Sequence, residues 1–281
     1  MTIAIRNLLA ADLDAADAIL QGAYGGGSRK QRLRFYMSLQ PDGWLLAALD
    51  GAPAGVIGAI DYGPFGYIGL VAVHPSLQRR GVALAMMRRL LGWLDGRGCP
   101  VALLDASPAG APLYERLGFV DEGQTLAFVL DDCALPPPAS ERVVALGPAD
   151  IPAVAAFDAS IFGAGRAAVF HALLAAAPKR AFVARGADGQ IDGYLFAQSQ
   201  TIGPWAARTA ADAEALLVAA LPLAYDGAPG AIVPSANSAA TALLMRYGFS
   251  PRGSLRHMRL GGVEPVGRRD LLYGQTSLAI G

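Results

Sequence analysis

The stretch VAVHPSLQRRGVALAMMRRLL, residues 71–91, decides how the chain is read. Val71 and Val73 flank Ala72 as in a strand, Pro75 ends that strand, and beyond Arg80 apolar residues return at helical spacing. Leu84, Met87, Leu91 and Leu94 fall on one face of a helix predicted over 80–94, with Arg88 and Arg89 outside it. Gln78, Arg79, Arg80 and Gly81 form the turn between strand and helix, and Val82 and Ala83 carry it into the helix. A helix start exposes unpaired N–H groups and the positive end of the helix dipole, and a glycine there lets the backbone approach an anion closely. Arg79 and Arg80 add fork-shaped donors suited to phosphate oxygens. The turn reads as an anion site, the plainer alternative being a solvated loop before an ordinary helix.

Outward from this stretch the chain repeats itself. RNLLAADLDAADAIL is answered by VALGPADIPAVAAF, the hairpin LLAALDGAPAGVIG by AFVARGADGQIDGYLF, YIG at residues 67–69 by TIG at 201–203, and LYERLGF by LLMRYGF, pairing Gly118 with Gly248. Pro136, Pro137 and Pro138 mark the seam between the copies, because a proline run continues neither a helix nor a central strand. Two domains are expected, over 1–135 and 136–281. In the first, strands are predicted at 3–7, 67–73, 101–105 and 125–130, a hairpin at 44–59, and helices at 11–22, 29–39, 80–94 and 109–117. Hairpins followed by crossover helices make an α/β mixed sheet flanked by helices. The tail LLYGQTSLAIG is apolar enough to be a last strand docked on the body.

Composition narrows the function. The 281 residues are 53% hydrophobic and 16% charged with a formal net charge of zero, which argues against a general nucleic-acid binder. Asp12, Asp14 and Asp17 interrupt the N-terminal stretch where a signal peptide or membrane span needs an apolar run, so a cytoplasmic protein with no membrane partner is expected. Cys99 and Cys133 stand alone and His74, His171 and His257 are scattered, so neither a disulfide framework nor a metal site is predicted.

The order strand, Q-R-R-G-V-A turn, amphipathic helix, strand and L-Y-E-R-L-G-F resembles the GNAT acetyltransferase superfamily, over nearly all of the first half. The resemblance implies acetyl-CoA as co-substrate. Its diphosphate would lie on Gln78, Arg79, Arg80, Gly81, Val82, Ala83 and Leu84, its pantetheine arm along Val71, Ala72 and Val73. Tyr114 occupies the position of the family's usual general acid, and Ser107 stands where many members carry an Asn that contacts pantetheine. No titratable group lies on VALL at 101–104, and Asp105 and Asp61 are the nearest acids for a base; Asp105 equally suits a cap of the following turn, and a water chain could take the base's place.

The second copy departs from the pattern. GPWAARTAADAEALL has no Q-x-x-G-x-G/A, Asp212 and Glu214 oppose an anion, and Leu244 stands opposite Tyr114, although Asn237 matches Ser107. A tandem protein with an active first domain and a degenerate second is therefore expected, acetylating an amine of a small molecule or peptide by direct attack. A non-catalytic acyl-CoA sensor is the alternative, and a homodimer is an open option. Arg29, within SRKQRLR, and Arg166, within FGAGR, are candidates to contact the acceptor, with a solvated helix face and a local carboxylate anchor as their respective structural readings. Gly81→Asp places bulk and negative charge against the turn, and calorimetry is expected to find acetyl-CoA binding abolished; unaltered affinity removes the turn from the cofactor site.

Overall fold

Strand and helix alternate as the two periodicities of the sequence demand. The computed structural model describes residues 1–132 and 138–281. The first half forms β1 (Ile3–Asn7), α1 (Leu13–Tyr24), α2 (Lys30–Leu39), β2 (Trp44–Leu49), β3 (Ala52–Asp61), β4 (Gly66–Val73), α3 (Val82–Gly96), β5 (Ala102–Ala106), α4 (Ala111–Arg116) and β6 (Val120–Leu130). The second half repeats the order with β7 (Val143–Ala145), α5 (Ile151–Phe162), α6 (Ala167–Ala176), β8 (Ala181–Arg185), β9 (Ile191–Ala197), β10 (Thr201–Ala207), α7 (Ala210–Ala220), β11 (Gly230–Pro234), α8 (Ser238–Arg246) and β12 (Phe249–Leu260), and then adds β13 (Leu272–Gly274). Pro136, Pro137 and Cys133 lie outside the described residues.

The strands make one mixed sheet in the order β1-β2-β3-β4-β5-β12-β6-β11-β10-β9-β8-β7, with β13 against β10. The closing strands of the two halves are thus exchanged. β12 enters the first half beside β5, pairing Arg256 with Ala106 and Leu260 with Ala102, and β6 enters the second beside β11, pairing Thr125 with Pro234. β6 and β12 pair with each other from Phe249↔Leu130 to Arg259↔Val120. This partner explains why β6 begins at Val120 rather than at the predicted Thr125. The two-fold relation that commonly joins separate copies of a chain operates here within one chain.

The predicted face of α3 shifts in the structure. Val82, Met86, Met87, Leu90 and Leu94 are buried, whereas Leu84 and Leu91 are only partly so, because the sheet meets the i, i+4 row starting at Val82. Gly118 and Gly248 each adopt positive φ immediately after a short helix, the left-handed stop that a glycine makes without strain.

In each half the inner strands run parallel only briefly and then part. β4 and β5 pair at Gly66↔Ala102, Tyr67↔Leu103 and Ile68↔Leu104, and β10 and β11 at Thr201↔Gly230 and Ile202↔Ala231. β13 fills the second wedge: Gly274 pairs with Trp205, Leu272 with Ala206, and the Gln275 N–H donates to Ile232 O on β11 at 2.8 Å. The chain then crosses to the first half, where the Tyr36 hydroxyl bonds Ser277 Oγ at 2.8 Å and the Tyr62 hydroxyl donates to Ile280 O at 2.7 Å. The repeated glycines explain the close passage, since a Cβ on Gly203 would lie 2.2 Å from Gln275 O and one on Gly69 would lie 2.3 Å from Ala279 Cα. Leu272, Tyr273 and Ile280 are buried, each worth about 1.5–3 kcal/mol on transfer from water.

Because each half lacks the strand that completes it, fragments 1–132 and 138–281 expressed separately are expected to show no cooperative thermal transition by circular dichroism, and to regain one when mixed. A cooperative melt of 1–132 alone contradicts that interdependence.

Candidate functional site

The first wedge is bounded by the residues that the sequence singled out. On β4, Ala72 faces Val56 and Gly69 faces Gly58, so β4 carries an extra residue between them, and Leu70 takes φ +53° at this bulge. Beyond Ile68 and Leu104 nothing pairs β4 to β5, and the backbone over Val71, Ala72 and Val73 borders the opening. The Val71 carbonyl accepts the Tyr24 hydroxyl at 2.9 Å from the end of α1. Nothing in the spacing of residues singles out Tyr24; only the fold carries the end of α1 to this strand.

The turn after β4 is built as expected for an exposed helix start. Gln78 Nε2 donates to Val73 O at 3.2 Å, tying the turn to the strand, and Arg79 and Gly81 adopt φ +61° and +81°. No side chain caps α3, whose first internal bond runs from Ala85 N to Gly81 O, so the N–H groups of Val82, Ala83 and Leu84 have no intrahelical partner. Val82 is buried and anchors the helix, while Arg79, Arg80 and Gly81 are exposed. A Cβ on Gly81 would meet no atom within 4 Å, so the turn has open space in front of it.

The matching turn of the second half is closed twice over. Thr209 caps α7, its side chain accepting from Asp212 N, and Asp212 is itself bonded to Arg142 at 3.0 Å. β13 fills the wedge beside it. Asn237 Oδ1 accepts Ala240 N at 2.9 Å and its Nδ2 donates to Leu272 O at 3.2 Å, so this remnant of the motif caps α8 and holds the tail. Ser107 plays the simpler half of that part in the first copy, accepting Gly110 N at 3.2 Å ahead of α4.

Tyr114 lies on α4 against Phe119, and burial, together with nearby Tyr24, holds its phenol well above the ordinary range. It therefore carries its proton at neutral pH. Arg29 donates to Gly25 O at 2.8 Å and lies over the Tyr24 ring, bracing the glycine loop beside the wedge. His74 bonds Ser76 at 2.9 Å, and Asp61 pairs with Arg97 at 2.6 Å, away from β5's end.

Two candidates occupy different surroundings from those expected. Arg166 is fully buried: it forms a two-pronged pair with Asp158 at 2.8 and 2.9 Å, donates to Tyr194 and Thr276, and stacks on Phe162. Its guanidinium anchors the tail instead of facing an acceptor, because a buried cation requires this full set of partners. Asp105 is also buried and caps no turn. It accepts from Tyr67 at 2.6 Å and Thr125 at 2.6 Å, faces His257 Nδ1 at 3.0 Å, and lies 3.4 Å from Gln275 Nε2. Burial acts to raise its pKa, but the bond and charge of His257, then Arg269 and Thr125, hold it below the ordinary carboxylate value. His257 reaches Asp105 only through the exchange of β12, so no spacing in the sequence could have paired them.

Residues 12–119 match the Acetyltransferase (GNAT) family, and residues 154–274 match a further Acetyltransferase (GNAT) domain. A Pyrococcus horikoshii protein to which acetyltransferase activity is ascribed shares 31% identity and a TM-score of 0.86, over 99% of this chain and 96% of that one. GCN5-related N-acetyltransferases share the fold at lower identity: one from Sphaerobacter thermophilus at 17%, TM-score 0.65, over 94% of this chain and 98% of its own, and one from Anabaena variabilis at 15%, TM-score 0.63, over 92% and 72%.

Asp105 titrates below its unfolded value, so its contribution to stability is complete above about pH 4 and is lost as pH falls through the folded pKa. Asp105→Asn is expected to cost about 1–3 kcal/mol at pH 7 in urea titration, with the difference from wild type narrowing in acid. A constant difference from pH 7 to pH 3 contradicts the ionised assignment.

Proposed function

Because the chain belongs to the GNAT acetyltransferase family, we propose that it transfers an acetyl group from acetyl-CoA to an amine of a small molecule or peptide, using the first half as the cofactor-binding unit. One observation carries this reading: the wedge of the first half leads to an uncapped helix start across an open Gly81 turn, while the equivalent wedge is filled by β13 and its helix is capped by Thr209. The second half keeps the fold without that opening.

In this reading the N–H groups of residues 82–84, with Arg79 and Arg80 beside them, hold the diphosphate, and Gln78 keeps the turn in place through Val73. Val71, Ala72 and Val73 line the pantetheine arm, with Ser107 on the opposite side of the wedge. A backbone N–H of this bulged strand polarises the thioester carbonyl, since a fixed donor stabilises a developing oxyanion at little reorganisation cost. Tyr114, kept protonated by burial, donates to the departing thiolate as the C–S bond breaks. The amine attacks the carbonyl directly, forming the C–N bond as the C–S bond breaks, and the proton shed by the acylated nitrogen passes through solvent to restore the Tyr114 phenol. Cys99 lies beyond the end of α3, with its thiol bonded to Val101 O at 3.5 Å, which leaves it outside the acyl path.

Release of free coenzyme A from acetyl-CoA in the presence of an amine and peptide library tests the reaction; release that no amine accelerates, alongside tight cofactor binding, identifies a sensor instead. Tyr114→Phe is expected to lower turnover by about 100-fold with acetyl-CoA affinity nearly unchanged. Wild-type turnover in that variant removes Tyr114 as the acid.

A further inference from the structure

A cleft lies at the closed end of the first wedge, on the sheet face opposite α3. Tyr67, Phe65, Phe162, His257 and Gln275 line it, and Arg269 stands half-buried at its rim. Residues from both halves meet here, because β12 brings His257 against β5 and the tail brings Gln275 against β4.

The hydrogen-bond directions follow from Asp105. Its ionised carboxylate can only accept, so Tyr67 and Thr125 give it their hydroxyl protons and His257 Nδ1 carries a hydrogen toward it. The Tyr67 oxygen, having given its proton away, accepts Gln275 Nε2 at 2.8 Å, which sets the orientation of that amide. Thr125 accepts Arg269 Nη2 at 3.0 Å. Two acceptors are left over. Gln275 Oε1 is buried with no hydrogen-bond partner, and with a hydrogen on Nδ1 alone the His257 ring, which lines the cleft, has a lone pair at Nε2. A buried amide oxygen without a donor has given up its hydration for nothing, a cost that a bound N–H group removes.

Two acceptors beside a carboxylate, between aromatic walls, suit the amine end of an aliphatic acceptor. We infer that His257, held by Asp105 with its hydrogen on Nδ1, takes a proton at Nε2 from the incoming ammonium, and that Gln275 Oε1 accepts a second N–H and orients the nitrogen. The ammonium thereby becomes the free amine, imidazole becomes imidazolium, and that proton passes to solvent after transfer. The charged and titratable groups facing His257 are Asp105 on β5, Tyr67 on β4, Asp121 on β6, which is also paired with Arg256, and Arg269 from the segment after β12. The base of the reaction thus comes from the half that binds no cofactor, and the inference rests on the transfer reaction proposed above.

The chain has three histidines, so long-range proton–nitrogen spectra of histidine-labelled protein resolve each ring, and the signal lost in His257→Gln identifies His257. At pH 8 the His257 ring is expected to show the Nδ1–H form, and n-butylamine is expected to shift its Nε2 signal saturably while His74 and His171 stay fixed. Gln275→Leu should weaken that response at least tenfold. In coenzyme A release with the best amine found in the library, His257→Gln should lose about 100-fold in kcat and the acidic limb of the pH profile, with acetyl-CoA affinity by calorimetry unchanged. No saturable shift at His257 in the wild type, or turnover within twofold and an intact acidic limb in His257→Gln, overturns the assignment. The butylamine titration needs no cofactor, so a wild-type protein that fails to bind acetyl-CoA defeats the proposed transferase function and leaves the histidine result to be judged separately.

Discussion

The pairing of β6 with β12 is the constraint on which the rest of the molecule depends. Each strand closes the half to which it does not belong in sequence, so each half meets its backbone hydrogen-bonding requirement only in the presence of the other. The central strands of a sheet are its least negotiable places, because an unpaired ladder there is buried away from water. One consequence is chemical: Asp105 from one half and His257 from the other lie directly opposite each other in the β5–β12 register.

The tail exploits the same continuity. It occupies the gap between β10 and β11, then crosses to β4, and the two glycines that let it pass occupy equivalent positions in the repeated I-G pair. Buried Arg166 holds it through Thr276, balanced by Asp158, so an ion pair at the centre of the second half sets where the chain ends up beside the first. The duplicated fold is thereby made unequal. One wedge remains open while the other is filled by a strand that the duplication did not supply.

The two helix starts differ through a few local residues. α3 begins at a glycine with positive φ and no side-chain cap, and α7 begins at a threonine whose side chain accepts the Asp212 N–H. The same dipole points from both, but at α7 the Thr209 side chain accepts the Asp212 N–H and the Asp212 carboxylate adds negative charge at the helix start, whereas no side chain of this kind stands at the start of α3. Function lives in such local differences and not in the architecture that the copies share.

Much of this was legible in the sequence, for reasons of range. The 3–7 strand, the hairpin, the turn at Gln78 and Gly81, and the repeat linking Gly118 to Gly248 depend on side-chain alternation, helical spacing and glycine conformations that neighbouring residues determine. The absence of the Q-R-R-G-V-A turn from the second copy was readable for the same reason. The buried face of α3, the surroundings of Asp105 and Arg166, and the approach of Tyr24 to Val71 were not, because each is settled by contacts between segments far apart in the chain. The exchange of closing strands was the least accessible of all: β6 and β12 carry the same alternating pattern whichever neighbour they take, and only the tertiary fold selects between partners that offer the strand equivalent hydrogen bonds.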